Sequence, residues 1–374
     1  MSLRLERRLE PSRSAGYLVP VLSFAAALLF GAVILTLAGA NPWDTYRAMA
    51  VGAFGGKYPI SETLVKAIPL MLAGLGVSLA FRMLFWNIGA EGQLVMGGFA
   101  AAGVALFAPR YLPDIPDWAL LPLMFVTAFV MGGLWGLIPA LLKAYLKVNE
   151  IIVTLMMNYV AILWIEYLFY GPWKDPKGYG FPGSAPFPTA ARLPRWPGTR
   201  VHLGLAFALI AATILWFVLS RTKWGYEIRI IGENPRAAKY AGINVIRNII
   251  LVMFISGGLA GLAGFGEVAG ISYRLQKGLA VGYGFTAIIV AWLSRLHPWG
   301  ILIVSVLLAG LLVGGDQIQI TMGLPASMAL ILQGAILFFV LGGALLAEYR
   351  IRWVSAASST GLARSDDTGG VDAG

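Results

Sequence analysis

The chain contains no cysteine, and its 374 residues include only two histidines, His202 and His297. The first absence excludes disulfides, thiolate metal sites and cysteine nucleophiles. Two isolated histidines supply no H-E-x-x-H zinc motif, and no G-x-S-x-G nucleophile turn occurs. A phosphate-binding G-x-x-x-x-G-K-[ST] loop is missing too: Gly56-Lys57 is followed by Tyr58, and Val51 stands where its first glycine is required. ATP hydrolysis is therefore not assigned to this chain. Its few aspartates are scattered through loops and the tail, so the clustered acids that metal-assisted diphosphate chemistry needs are absent, and an embedded enzyme is a poor reading.

Charge is scarce as well. Only 12% of residues are charged while 58% are hydrophobic, and mean hydropathy is +0.76. Soluble domains carry about 25% charged residues, so too little polar surface exists here to cover a water-soluble globule. Disorder fails for the opposite reason, since too much apolar surface would stay exposed. The net charge of +10 suggests nucleic acid only if the charges cluster on one face. Instead they fall in the gaps between apolar runs. The chain reads as an integral membrane protein.

About 20 apolar residues span a bilayer core as helix, and long unbroken runs, not alternating ten-residue ones, select helices over a barrel. Ten runs qualify: Tyr17–Ala40, Ser61–Ala80, Ile88–Phe107, Ala119–Leu142, Ile151–Tyr170, Leu203–Ser220, Ile249–Ile271, Gly282–Leu296, Gly300–Gly315 and Ala326–Leu346. The first is too long for a signal-peptide core and has no clear cleavage site, so it reads as a retained span. Ten crossings put both termini on one side. With the N-terminus inside, seventeen basic residues fall in inner segments and six outside, the long outer loop left aside. The positive-inside rule thus favours N-in, C-in. The reading is an all-α polytopic fold with an arm at residues 1–16, a membrane domain at 17–348 and a disordered inner tail at 349–374.

Three stretches interrupt the pattern. The outer loop, residues 171–202, carries seven prolines with Trp173 and Trp196. It cannot be a regular helix and is expected to fold over the outer mouth. The inner segment 221–248 is long and polar. Around Gly282, Gly284 and His297-Pro298 the spans are short, as half-helices beside a transport pathway are. Carboxylates inside a membrane are functional candidates by their cost. Three qualify: Glu91 and Glu166, near opposite ends of their spans, and Glu267, in the outer third. The glycines Gly257, Gly258, Gly261, Gly264 and Gly270 read best as a close-packing face.

Asn87-Ile88-Gly89-Ala90-Glu91-Gly92-Gln93, with the inner segment Gly225–Arg229 and then Gly232-Glu233-Asn234-Pro235-Arg236-Ala237-Ala238-Lys239-Tyr240-Ala241-Gly242-Ile243, resembles permease subunits of bacterial ABC importers. The branch is the one with ribose, branched-chain amino acid and nucleoside-type permeases. Asn149–Tyr159 and Gly282–Phe285 are similar to the nucleoside-type members, which depend on a basic-membrane-lipoprotein kind of binding protein. These matches run in order from about Asn87 to about Gly300 and cover most of the membrane portion.

The resemblance implies a type II-like importer permease in the bacterial cytoplasmic membrane, without a nucleotide site or bound cofactor of its own. ATP and magnesium would belong to two partner ATP-binding subunits. A second related permease, in a heterodimer rather than a homodimer, and an external substrate-binding lipoprotein would complete the assembly. In the family, the inner loop contacts the ATPase. The residues make physical sense of that: Asn234 can cap a short helix, Pro235 suits its first turn and Gly242 stops it. Ala237, Ala238 and Ala241 would form a small flat face, with Arg236 and Lys239 outward, and the resemblance includes Gly232, Glu233, Asn234, Pro235, Arg236 and Tyr240 in the same contact. Residues alone leave an ordinary solvated loop open. Polar or aromatic side chains in apolar spans are the pathway candidates: Asn87, Gln93, Asn158, Glu267, Tyr283 and Phe285. A nucleoside or related small polar solute is the expected cargo, with sugars next. An ATPase-independent secondary transporter or facilitator is the rival reading.

Overall fold

The computed structural model describes residues 2–7, 15–325 and 327–354. The chain forms two units, residues 1–43 with 330–374, and Asp44–Ala329.

The first unit holds α1 (Ala15–Leu37) and most of α13 (Ser327–Glu348). Within it the rings of Phe30 and Phe339 lie 5.9 Å apart. It also holds β1 (Ser2–Arg7) and β2 (Tyr349–Val354), which pair antiparallel with Leu5 opposite Ile351. Their first five residues alternate polar and apolar, the period of a strand. The start of the tail expected to be disordered is therefore a paired strand, and residues 355–374 lie outside the described residues, as do 8–14 of the N-terminal arm.

The second unit is helical. It contains most of α2 (Pro42–Phe54), then α3 (Lys57–Arg82), α4 (Ala90–Tyr111), α5 (Asp117–Leu146), α6 (Glu150–Tyr170) and α7 (Gly204–Arg221). The polar segment forms α8 (Lys223–Glu233) and α9 (Pro235–Tyr240), followed by α10 (Val245–Glu267), α11 (Tyr283–Leu293) and α12 (Pro298–Met322). Helix α3 is the buried centre, with α10, α11, α12 and α7 packed around it. Helix α10 also packs on α4 and α5. That contact is glycine against glycine: a Cβ on Gly97 or Gly132 would collide with the Gly261 backbone, so the small-residue face serves close packing.

All ten apolar runs fall on helices. Among the described residues, however, seven helices are long and apolar enough to cross a membrane, or eight if α1 and α2 make one bent span. Of the ten expected spans, those on α1, α11 and α13 do not reach that length on their own among the described residues. Helix α11 has 11 residues, about 16 Å of rise against a core of about 30 Å. Helix α2 has no counterpart in the expected spans because its sequence is too polar. Its residues Met49 and Phe54 pack beside Gly314 and Gly310 of α12.

Connecting segments gather at two ends of this unit. At one end, Arg82 donates to the Leu296 carbonyl, and Gly232 lies against the Arg82 carbonyl. At the other, Arg200 pairs with Glu62 at 3.0 Å and its N–H donates to Ser61 Oγ at 2.8 Å.

Candidate functional site

The link from α3 to α4 does not stay at the bundle end. Asn87 Nδ2 donates to Ser256 Oγ at 3.0 Å, and the Ser256 carbonyl faces Gly76. Gly76 lies six residues back from the end of α3, so the chain has climbed about 9 Å into the bundle before α4 begins. Such a re-entrant backbone is tolerated only when its polar groups are satisfied by protein. Asn87 exchanges hydrogen bonds with Gln93 at 3.0 and 3.1 Å, and its Oδ1 also accepts the Gly89 N–H. Asn158 Oδ1 accepts the Gly92 N–H at 2.8 Å while its Nδ2 donates to the Ile88 carbonyl at 2.9 Å. Asn87, Gln93 and Asn158 are each buried. The structure brings these three pathway candidates together, with their polar atoms engaged in holding the turn.

The turn presents Glu91 to a second break. After α10 the chain passes through a π-helical turn (Val268–Ser272) and irregular backbone before α11 starts at Tyr283. Glu91 is 1% exposed, and its carboxylate accepts the N–H groups of Gly282 at 2.8 Å and Gly284 at 2.5 Å. Those are unsatisfied donors of the first helical turn, and a carboxylate there also complements the helix dipole. A Cβ at Gly284 would strike the Glu91 backbone. The short run is thus a half-helix starting inside the bundle on a carboxylate from α4.

Beside it lies a group of charges on membrane-spanning helices. Lys66 of α3 pairs with Asp316 of α12. Glu267, at the end of α10, is within electrostatic reach of Lys66, and its Oε1 is buried without a hydrogen-bond partner. Tyr283 sits among Glu267, Asp316 and Glu91. The side chains of Lys66 and Asp316 are 27% and 53% exposed, and Phe285 on α11 is 39% exposed. Lipid is a costly neighbour for such charges, so this face requires water or another protein. Glu267, Tyr283 and Phe285 were legible in the sequence, whereas Lys66 and Asp316 were not. Asp316 directly follows the glycine that closed an apolar run, and Lys66 is a lone basic residue inside the run Ser61–Ala80.

The polar segment is built as the capping residues predict. Asn234 Oδ1 accepts the N–H groups of Arg236 and Ala237 at 3.0 and 3.1 Å, Pro235 opens α9, and Gly242 follows with φ +78°. Helix α8 buries Ile228 and Ile231 against the bundle. The expected flat face is divided: Ala238 is fully buried, while Ala237 and Ala241 are exposed. Glu233, Arg236 and Tyr240 are exposed too, Tyr240 at 98%.

At the opposite end, the proline-rich loop is a strap bound along the segment that precedes α11. Ser184, Phe187 and Leu193 donate their N–H groups to Leu275, Tyr273 and Ala269 at 2.7–2.8 Å. Arg192 and Arg195 both stack on the Tyr273 ring, at 4.9 and 5.0 Å. His202 is buried in space left by Gly204, Gly266 and Gly270, and its Nδ1 accepts the Gly204 N–H. Burial and the neighbouring Arg195 guanidinium push its pKa down to about 4.

Comparison with known proteins agrees with this architecture. The family described as "Branched-chain amino acid transport system / permease component" matches residues 60–341. A guanosine ABC transporter permease of Bacillus subtilis is 37% identical over 349 residues, covering 91% of this chain and 96% of the relative. A glucose ABC transporter permease of Haloferax volcanii is 36% identical over 364 residues, covering 93% and 94%. A nucleoside ABC transporter permease of Lactococcus lactis is 30% identical over 334 residues, covering 86% and 90%. With seven or eight helices among the described residues long and apolar enough to cross a membrane, and a family match over three quarters of its length, this multi-pass membrane protein is a permease of the branched-chain amino acid transport family of ABC transporters.

Proposed function

We propose that the chain is one of two permease subunits of an importer for nucleosides or closely related small polar solutes. Solute would arrive on an extracytoplasmic substrate-binding lipoprotein and cross by alternating access. One of two ATP-binding subunits would dock on the exposed surface of α9 and its flanks, Glu233 to Ala241 without the buried Ala238, and the other on the second permease; Gly232, packed against Arg82, would lie behind that surface. The termini and α8–α9 would then face the cytoplasm, and the strap would face outward.

The observation that carries this reading is the Lys66–Asp316 pair, partly exposed between two helices long and apolar enough to span a membrane. A second permease laid against this face, a related chain rather than an identical copy, would enclose a wet pathway. Glu267, Tyr283 and Phe285 would meet the solute there, and Asn87, Gln93 and Asn158 would shape the wall behind them. Weak binding suits one-way release, and a few acceptors beside an aromatic ring suit a hydroxyl-bearing solute with a flat base. Likeness to the guanosine permease supports the nucleoside. The glucose permease, nearly as similar, supports a sugar as the second reading.

Proteoliposomes holding both permeases and both ATP-binding subunits decide the matter when supplied with the binding protein and labelled guanosine or glucose. Guanosine uptake that needs ATP and is competed by other nucleosides is the expected result. ATP-dependent glucose uptake would replace the solute, and uptake indifferent to ATP would remove the importer reading.

A further inference from the structure

We infer that Arg82 is a positioning residue that transmits displacement of the α8–α9 segment to the half-helix α11. The inference rests on the proposed docking of ATP-binding subunits at α9. The path consists of close contacts with little slack. Asn234 joins α8 to α9 as the shared cap, so the two helices move as a piece. At the end of α8, Gly232 sits so close to the Arg82 carbonyl that no Cβ fits between them. Arg229 of the same helix is near enough for its guanidinium to repel that of Arg82. Any push on α8 therefore meets the end of α3 at Arg82.

From Arg82 the path leaves α3. Its Nε and Nη2 both donate to the Leu296 carbonyl, at 3.2 and 2.8 Å. Leu296 and Arg295 form the turn out of α11, both with left-handed φ, +59° and +51°. Non-glycine residues keep such φ values only where the surrounding structure fixes them, so the turn is held in one conformation by its contacts. Phe81, Trp86 and Trp292 pack at centroid distances of 5.2–5.9 Å and hold the same end of α3 at a set spacing from α11. That aromatic contact is non-directional, whereas the forked Arg82 bond fixes direction. At the other end of α11 are Tyr283, Phe285 and the Glu91 cap. A helix of 11 residues held at both termini moves as a rigid rod. Pulling its Leu296 end shifts the aromatic end along the charged face.

The test uses the assembled complex and needs no knowledge of the solute. Because the chain lacks cysteine, V281C and I320C introduce one spin-label pair, at two exposed positions. Distances are compared without nucleotide and after trapping with ATP and vanadate. The expected result is a shifted distance distribution in the otherwise unaltered chain. R82A loses the shift while ATP hydrolysis continues, and R82K, which can still donate to Leu296, recovers part of it. A shift that persists in R82A overturns the relay, and so does no shift on trapping in the chain with Arg82 intact. A237E is the separate control for docking: assembly and coupled hydrolysis undisturbed by it remove the ATPase-contact reading, whatever Arg82 does.

Discussion

Glu91 reaches from α4 to hold two N–H groups, those of Gly282 and Gly284, at the start of α11. A single buried carboxylate thereby joins a re-entrant turn to a broken span. Leaving buried donors unmet costs about 1–3 kcal/mol each. E91A should therefore lower the unfolding temperature of the detergent-solubilised complex and abolish uptake. E91Q keeps one acceptor oxygen and loses the charge, so its loss of stability should be smaller, about 1–2 kcal/mol on the same scale. Equal behaviour of the two variants would show that the cap does not hold α11.

Asn158 serves the re-entrant turn through one acceptor and one donor, to Gly92 and Ile88. N158L removes both bonds while keeping similar bulk, and about 2–4 kcal/mol of stability should go with them. Trypsin sensitivity of the inserted chain and its unfolding temperature would record the loss. A stable N158L that fails only in uptake would instead place Asn158 in contact with the solute.

Removing Lys66 alone leaves Asp316 without its counter-charge. K66M should reduce uptake and stability more than K66M/D316L, because breaking one half of a partly buried pair is worse than removing both. A double-mutant cycle on assembled complex yield measures the difference. Strict additivity would show that the pair is a dispensable surface contact.

His202 makes stability depend on pH. The unfolded chain takes up the proton near pH 6.5, and the folded chain only near pH 4. Between those values the unfolded state binds more protons, so stability falls as pH drops from 6.5 towards 4 and levels off below. A depression of this size corresponds to about 3 kcal/mol. H202N offers a similar acceptor to Gly204 without titrating, and its unfolding temperature should lose this part of the acid slope.

Tyr240 and Tyr179 are each 98% exposed and lie in α9 and in the strap. In this cysteine-free chain, Y240C should react with an impermeant maleimide only in inside-out vesicles, and Y179C only in right-side-out ones. The reverse pattern would invert the topology, and with it the docking of ATP-binding subunits.

Much of the molecule was legible without coordinates, because membrane insertion is governed by the length and composition of local windows. The apolar runs became helices, Asn234-Pro235 became a capped helix start, and the clustered glycines became a packing face. Less visible was anything needing two distant segments at once. Nothing near Glu91 in the chain says that its partners are 191 and 193 residues away. Asn87, Gln93 and Asn158 stood out as polar residues in oily surroundings, yet their partners turned out to be one another and the backbone. Ala238 could not be separated from Ala237 until α9 was seen lying against the bundle.

Class and helical content followed from composition and local pattern alone, since each depends on residues adjacent in the chain. Only the packed bundle decided that one apolar run is a half-helix, that Lys66 and Asp316 meet, and that Arg82 grips Leu296. A hydrogen bond or ion pair between remote segments has no local signature. It exists only once hydrophobic packing has brought the helices carrying it side by side.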